Sequence, residues 1–184
     1  LKSIIKKVHY HYKASLASKD SLWAVPVTEI KDFIANKELF YKQPKLYDFL
    51  SNRALLFYRN SEANLALVNE RFRLDNIDYI TNLLYTPLQS IDTLNTKFLS
   101  LKIYQELEAY HINDNDSTAF FVAKINRLKY CKKKSKIFKQ DSLCIDQIKQ
   151  LYRVCKTDKN KSLIACNLGV LLYESKNLIE SEKW

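Results

Sequence analysis

Residues 52–58 read Asn-Arg-Ala-Leu-Leu-Phe-Tyr, and residues 167–173 read Asn-Leu-Gly-Val-Leu-Leu-Tyr. Each stretch places one small residue, Ala54 or Gly169, ahead of large apolar and aromatic side chains, and a second small residue follows twelve positions later. Small residues let two antiparallel helices approach closely, while the larger side chains fill the space on either side. The spacing therefore predicts a helical hairpin around each stretch.

The second small residues are Ala66 and Ser181, and the clearest hairpins are predicted at 46–74 and 162–184. This pattern resembles the tetratricopeptide repeat and, in the second hairpin, also the Sel1-like repeat. It departs from the family at Arg53, where a leucine is usual. The distance between the two hairpins is not a multiple of the roughly 34-residue period of such repeats, so irregular hairpins are expected between them. The resemblance implies stacked hairpins that hold other proteins.

The composition predicts an all-α protein. Its 184 residues include one glycine and three prolines, which leaves few residues suited to the tight turns of an antiparallel sheet. We expect the antiparallel hairpins to stack as an irregular tetratricopeptide-like superhelix, in a single helical-repeat domain over residues 1–184. A compact irregular helical bundle is the alternative. Because the chain starts at Leu1, has no methionine and stops at Trp184 only a few residues into a predicted helix, we expect a fragment that continues beyond Trp184.

Breaks between helices are predicted from proline and from polar residues. Pro26, Pro44 and Pro87 each interrupt a helical pattern, because proline lacks the backbone N–H that a helix interior needs. The polar run at 113–117 is typical of a loop. Apolar periodicity then predicts helices at about 1–16, 28–40, 46–60, 62–74, 77–84, 90–110, 118–131, 143–155 and 162–173.

The resemblance also implies where a partner binds. In such repeats the first helices of the hairpins line a concave groove that takes a peptide or helix of another protein. The partner-binding candidates in this chain are Asn52, Tyr58, Arg59, Asn167 and Glu174. We therefore expect an interaction scaffold or adaptor whose partner is another protein or peptide within a larger assembly. A peptide-sensing regulatory domain is an alternative, since related repeats serve bacterial regulators in that way.

Positive charge is concentrated in one segment. Thirty Lys and Arg against twenty Asp and Glu leave a formal net charge of +10. Eight basic residues and no acidic ones lie between positions 124 and 139: Lys124, Arg127, Lys129, Lys132, Lys133, Lys134, Lys136 and Lys139. Three interpretations stay open, namely a solvated helix end, a surface for an acidic protein, and a nucleic-acid-binding surface with strong salt dependence. In the last of these, Tyr130 and Phe138 can stack on bases.

Catalytic and metal sites are not predicted, and neither is a cofactor. A single glycine excludes a glycine-rich phosphate loop. His9 and His11 lie on nearly opposite sides of a helix, since each residue turns it by about 100°. His111 adjoins the polar loop, which lacks the glycine and the final glutamate of a calcium loop. We therefore expect a protein that is not an enzyme.

The four cysteines indicate a reducing environment. Cys131, Cys144, Cys155 and Cys166 are too widely spaced for the close pairs of a zinc ribbon, so we interpret them as buried thiols. This favours an intracellular location, with cytoplasm and nucleus equally compatible. The basic, aromatic segment at residues 2–13 can form an end helix or lie on an anionic membrane. No stretch reaches the roughly 20 apolar residues of a transmembrane helix.

Overall fold

The computed structural model describes residues 2–35, 39–60, 63, 72–113 and 117–184, and confirms the all-α class. The α-helices are α1 (Lys2–Ser15), α2 (Lys19–Ala24), α3 (Leu39–Lys42), α4 (Leu46–Arg59), α5 (Asp78–Thr81), α6 (Thr96–Asn113), α7 (Ser117–Lys134), α8 (Gln140–Val154), α9 (Asp158–Glu174) and α10 (Leu178–Ser181). Short 3-10 helices span Val27–Phe33 and Leu83–Tyr85. The described residues contain no β-strand, and an isolated bridge joins Pro26 to Lys45.

The predicted helix at 28–40 is wrong in its type. Residues Val27–Phe33 form a 3-10 helix, and Ile30 interrupts it with φ −110° and ψ 22°. Pro26 enters this segment in an extended conformation, and the backbone N–H of Val27 donates to the carbonyl of Pro44. A kinked 3-10 helix, which directly follows a pairing between two proline-containing segments, therefore stands where apolar spacing predicted a regular α-helix.

Side-chain capping delays the start of α6. The predicted helix began near Ser90, whereas α6 begins at Thr96. The Asn95 side-chain oxygen accepts hydrogen bonds from the backbone N–H groups of Lys97 and Phe98, at 3.0 and 3.3 Å. Asparagine in this position satisfies N–H groups that the first turn of a helix leaves without partners. Asn95 thus determines where α6 starts.

The chain divides into two compact units. Unit 1 comprises Leu1–Phe72 and Leu88–Leu107, and unit 2 comprises Arg73–Pro87 and Glu108–Trp184. Most of the second half of the predicted 46–74 hairpin, including Ala66, lies outside the described residues, as does most of the predicted 113–117 loop. The repeat arrangement and the single domain over 1–184 stay predictions.

Unit 1 has a core centred on α4. The buried residues of this helix recur at i, i+4, i+7, i+8 and i+11, which is the spacing of one helix face. They are Tyr47, Ser51, Ala54, Leu55 and Tyr58, in addition to the N-terminal Asp48. Ala54 is completely buried, as expected for the small residue of a close helix contact. Its neighbour Leu56 points to solvent.

His9 lies inside unit 1 although its neighbour His11 is exposed. The His9 ring centroid is 5.2 Å from that of Phe57 and 5.2 Å from that of Tyr58. Its Nε2 lies 3.5 Å from the carbonyl oxygen of Ala63. Burial lowers the pKa of His9, and the carbonyl of Ala63 and the Asp92 carboxylate oppose this shift without cancelling it. The folded state therefore favours the neutral imidazole.

We expect the stability of the chain to fall as the pH drops below the ordinary histidine pKa of 6.5. Between that value and the lower pKa of folded His9, the unfolded chain binds a proton that the folded chain excludes, so acidification favours unfolding. Chemical denaturation at about pH 7.5 and about pH 5.5 measures this change in the free energy of unfolding. His9→Phe should reduce this pH-dependent change in the free energy of unfolding, because the aromatic packing stays while the titrating group is removed.

His11→Phe is the matched control, since it removes an exposed imidazole from the same helix. Equal pH dependence in wild type and His9→Phe would contradict the assignment.

Unit 2 is built from α7, α8 and α9, which pack against one another, and from α10, which packs on α9. Leu168 is fully buried in α9, and Ile148 is fully buried in α8. A Cβ atom on Gly169 would lie 3.6 Å from the carbonyl oxygen of Ser181, so the α9 backbone closely approaches the α10 segment. This is the close approach that the twelve-residue spacing predicts.

Candidate functional site

The partner-binding candidates in unit 1 differ in their exposure. Arg59 is exposed. Asn52 is half-buried, and its side-chain nitrogen donates to the backbone carbonyl of Asp48 at 2.9 Å. Tyr58 is only 3% exposed and stacks on His9, which corrects its place in the predicted set. Burial raises the pKa of Tyr58 to about 12. Tyr58 therefore packs in the core of unit 1 and does not offer a contact surface to a protein partner.

Asn167 has a structural role in unit 2. Its side-chain oxygen accepts a hydrogen bond from Lys129 Nζ at 2.7 Å, and its side-chain nitrogen donates to the carbonyl of Leu163 at 2.7 Å. The first bond connects α9 to α7, and the second lies within α9. Glu174 is exposed at the end of α9, with a carboxylate oxygen 3.8 Å from Lys132 Nζ. Of the two candidates on α9, Glu174 is thus the accessible one.

An exposed apolar stripe follows the outer side of α9. It consists of Cys166, Val170 and Tyr173, spaced at i, i+4 and i+7, and we call it the α9 stripe. Tyr173 is 67% exposed. The exposure of Cys166 corrects the prediction that all four cysteines are buried. Sequence reasoning missed the stripe because α9 carries apolar residues on several sides, so spacing alone does not separate the inward face from the outward one.

The basic segment is not one continuous surface. Lys133, Lys136 and Lys139 are exposed, whereas Lys124, Lys129, Lys132 and Lys134 are half-buried. Burial lowers the pKa of Lys124, although the nearby Glu108 carboxylate opposes this shift. Helix α7 reaches Lys134 and not 131 as predicted, so the lysine run forms its last turn, where positive charge is favourable.

Arg127 must be removed from the predicted basic surface. Its side chain is 1% exposed, and its Nε lies 2.5 Å from Oε1 of Glu108, whose side chain is 2% exposed. Its Nη1 donates to the carbonyls of Tyr79 and Ile80, at 2.6 and 3.0 Å. The guanidinium therefore joins α7 to α6 and to the α5 region inside unit 2. Tyr130, a predicted stacking residue, is buried as well.

Phe138 remains available among the predicted stacking residues. It is 83% exposed, and Lys139 Nζ lies 5.3 Å from its ring centroid. Lys136 is also exposed close by in the chain. An aromatic face beside lysines is compatible with base stacking on a single-stranded nucleic acid.

The buried thiols are poor nucleophiles. Burial raises the pKa of Cys131 to about 11 and that of Cys144 to about 12, which disfavours the reactive thiolate. All four cysteines are free thiols. Within the described ranges, histidine, cysteine and acidic side chains do not gather in groups of three that suit a metal ion. The predictions that the chain is not an enzyme and uses no cofactor stay predictions.

A pocket of about 360 Å³ opens in unit 1. Helices α1, α2, α4 and α6 contribute to its lining. Lys19 Nζ lies 2.5 Å from Oε1 of Glu106, and the Tyr47 hydroxyl donates to Oε2 of the same carboxylate. Burial together with the Glu106 charge raises the pKa of Tyr47. Sequence reasoning missed this pocket, because its residues come from segments far apart in the chain.

No helix in the described ranges combines the length and the apolar character that crossing a bilayer requires.

Comparisons with family models, curated proteins and solved structures found no significant match to this chain. The resemblance to tetratricopeptide and Sel1-like repeats therefore stays a prediction.

Proposed function

We propose that this chain is an interaction scaffold or adaptor that binds an amphipathic helix of a partner protein on the α9 stripe. The observation that carries the proposal is the exposure of Cys166, Val170 and Tyr173 along one side of α9. Their spacing at i, i+4 and i+7 is the spacing by which helices recognise one another through apolar anchors. A peptide-sensing regulatory domain would use the same kind of contact.

The chemistry around the stripe supports a protein partner. Tyr173 supplies a large ring with few rotatable bonds, and tyrosine is enriched among the residues that dominate binding energy at interfaces. Leu178 and Ile179 are also exposed on α10, which packs on α9. Glu174 lies next to Tyr173 and offers a charge that can select a basic residue on the partner.

Nucleic-acid binding is the second candidate. It is supported by the exposure of Phe138 beside Lys136 and Lys139. The burial of Arg127 and Tyr130 removes two of the residues that the sequence had assigned to it. We therefore rank it below protein binding. A reducing intracellular compartment is part of the proposal, since the four cysteines are free thiols.

Val170→Asp should abolish partner binding, because it places a charge in the middle of the apolar stripe. The measurement is affinity capture of the tagged chain from nuclease-treated lysate of its source cells, followed by mass spectrometry of the retained proteins. Leu56→Asp is the matched control, since it makes the same kind of change at an exposed apolar position of α4 in unit 1.

Wild type and Leu56→Asp should retain the same partners, and Val170→Asp should lose them. Circular dichroism checks that both variants stay folded. Identical retained proteins for all three chains would contradict binding at the stripe. A parallel capture without nuclease tests the second candidate. Ligands that are retained only without nuclease, and that require Lys136 and Lys139, would favour nucleic-acid binding instead.

A further inference from the structure

We propose that the pocket in unit 1 binds a small anionic amphiphile, a molecule with an apolar body and a carboxylate or phosphate head group. This site is separate from the α9 stripe, because all of its lining residues belong to unit 1 and α9 belongs to unit 2. A loss of partner binding at the stripe and a loss of ligand binding in the pocket are therefore independent results.

The inner walls of the pocket suit an apolar ligand body. Leu16, which directly follows α1, and Phe98, Leu99 and Ile103 on α6 line it. Its volume of about 360 Å³ lies in the usual range of small-molecule sites, which is about 300–1,000 Å³. A medium-length hydrocarbon chain or an aromatic ring system fits this space, whereas a peptide helix does not.

The polar lining of the pocket carries an excess of positive charge. Lys13, Lys19 and Lys102 line it, and Glu106 is the acidic residue among them. Lys19 forms an ion pair with Glu106, whose second carboxylate oxygen accepts the hydrogen bond from Tyr47. Within the described ranges Lys13 and Lys102 have no acidic partner. Among the described residues, these two positive charges therefore have no carboxylate to neutralise them.

The position of these two lysines gives the ligand its expected orientation. Lys13 comes from α1 and Lys102 from α6, and both are exposed to solvent. A head group bound between them gains charge-assisted hydrogen bonds without losing all of its hydration. The apolar body then replaces water against Leu16 and Phe98. Because the lysines are exposed, the affinity should decrease as the salt concentration rises.

Trp23 provides a direct signal for occupancy. Its ring centroid lies 4.2 Å from that of Tyr47, which lines the pocket. Trp184 is the second tryptophan of the chain, and it contacts Tyr152 in unit 2. In a Trp184→Phe background, the fluorescence of Trp23 therefore reports on the pocket alone.

The experiment titrates this single-tryptophan protein with decanoate, decyl phosphate, decanol and decylammonium, each below the concentration at which it self-associates. We expect saturable binding of at least one anion. Decanol and decylammonium should bind roughly tenfold more weakly, because decanol has no negative charge to pair with the lysines and decylammonium has the same charge as they have. The two anionic ligands distinguish a carboxylate head group from a phosphate one. Equal affinity for decanol and both anions, or the absence of saturable binding, would overturn the proposal.

Charge-reversal variants test the two lysines. Lys13→Glu combined with Lys102→Glu should weaken anion binding by roughly a hundredfold, about tenfold for each lost contact. Lys6→Glu combined with Lys7→Glu makes the same change in net charge at exposed positions of α1 that do not line the pocket. An equal loss in both pairs would show a nonspecific charge effect and overturn the assignment.

Ala17→Phe keeps the charges and narrows the pocket, since Ala17 is exposed at its lining. This substitution should lower the affinity for the anions and for decanol by a similar factor. Unchanged affinity in a folded Ala17→Phe protein would place the ligand elsewhere.

Discussion

Arg127→Met should lower the free energy of unfolding by about 3–5 kcal/mol, because it leaves the Glu108 carboxylate buried without its cation. Both side chains are almost fully buried, and the guanidinium also donates to the carbonyls of Tyr79 and Ile80. Methionine keeps an unbranched apolar stem and removes all of these donors. Urea unfolding followed by circular dichroism measures the change.

Lys133→Met is the matched control, since it removes a charge from an exposed position of the same helix. Its effect should stay within about 0.5 kcal/mol. A second variant, Arg127→Met combined with Glu108→Leu, should recover part of the loss, because an apolar pair often replaces a buried ion pair without a large cost. Recovery should be incomplete, since the carbonyls of Tyr79 and Ile80 still lack their donor. Equal stability of Arg127→Met and Lys133→Met would contradict the prediction.

Gly169→Leu should lower the free energy of unfolding by about 1–3 kcal/mol, because it places a branched side chain where α9 meets the α10 segment. A Cβ at this position lies 3.6 Å from the Ser181 carbonyl oxygen and 3.8 Å from Trp184 Cβ. These are ordinary contact distances, so alanine fits, whereas we expect the further carbon atoms of leucine to push the α10 segment away. Gly169→Ala should stabilise the chain by about 0.5–1 kcal/mol, because glycine is unfavourable inside a helix.

Ala54→Leu should cost a similar amount, about 1–3 kcal/mol, since Ala54 is completely buried. Ala14→Leu, at an exposed position of α1, controls for the added volume and should have little effect. Thermal and urea unfolding of the four variants give the comparison. Unchanged stability of both Gly169→Leu and Ala54→Leu would show that the small residues do not face packed neighbours, and the hairpin interpretation would lose its basis.

These two sets of variants differ in how far the sequence alone predicts the role of the substituted residue. The importance of Gly169 was visible in the sequence, because a small residue among leucines at helical spacing has a direct geometric meaning. The role of Arg127 was not visible. In the sequence it belongs to a run of basic residues, and its partner Glu108 lies 19 positions earlier, on another helix. Linear charge patterns do not report which side chain turns inward.

The candidate sites also differ in how far the sequence predicts whether a residue is exposed or buried. Glu174 and Arg59 are exposed, as partner contacts must be, whereas Tyr58 is buried. An aromatic residue on an amphipathic helix suits either a core or a binding surface, so its type alone does not decide between them. The sequence did not predict the pocket in unit 1, because Lys13 and Lys102 line a common pocket only when α1 and α6 come together in the folded chain.

The sequence by itself determined the helical class and the close approach of Gly169 to the α10 segment, because both depend on local backbone preferences and on spacing within one or two neighbouring helices. Only the tertiary structure decided which charges are buried, which apolar stripe of α9 stays exposed and where a pocket opens. Those properties depend on contacts between residues that are distant in the chain, and burial changes the energy of a charged or apolar side chain more than its sequence neighbours do.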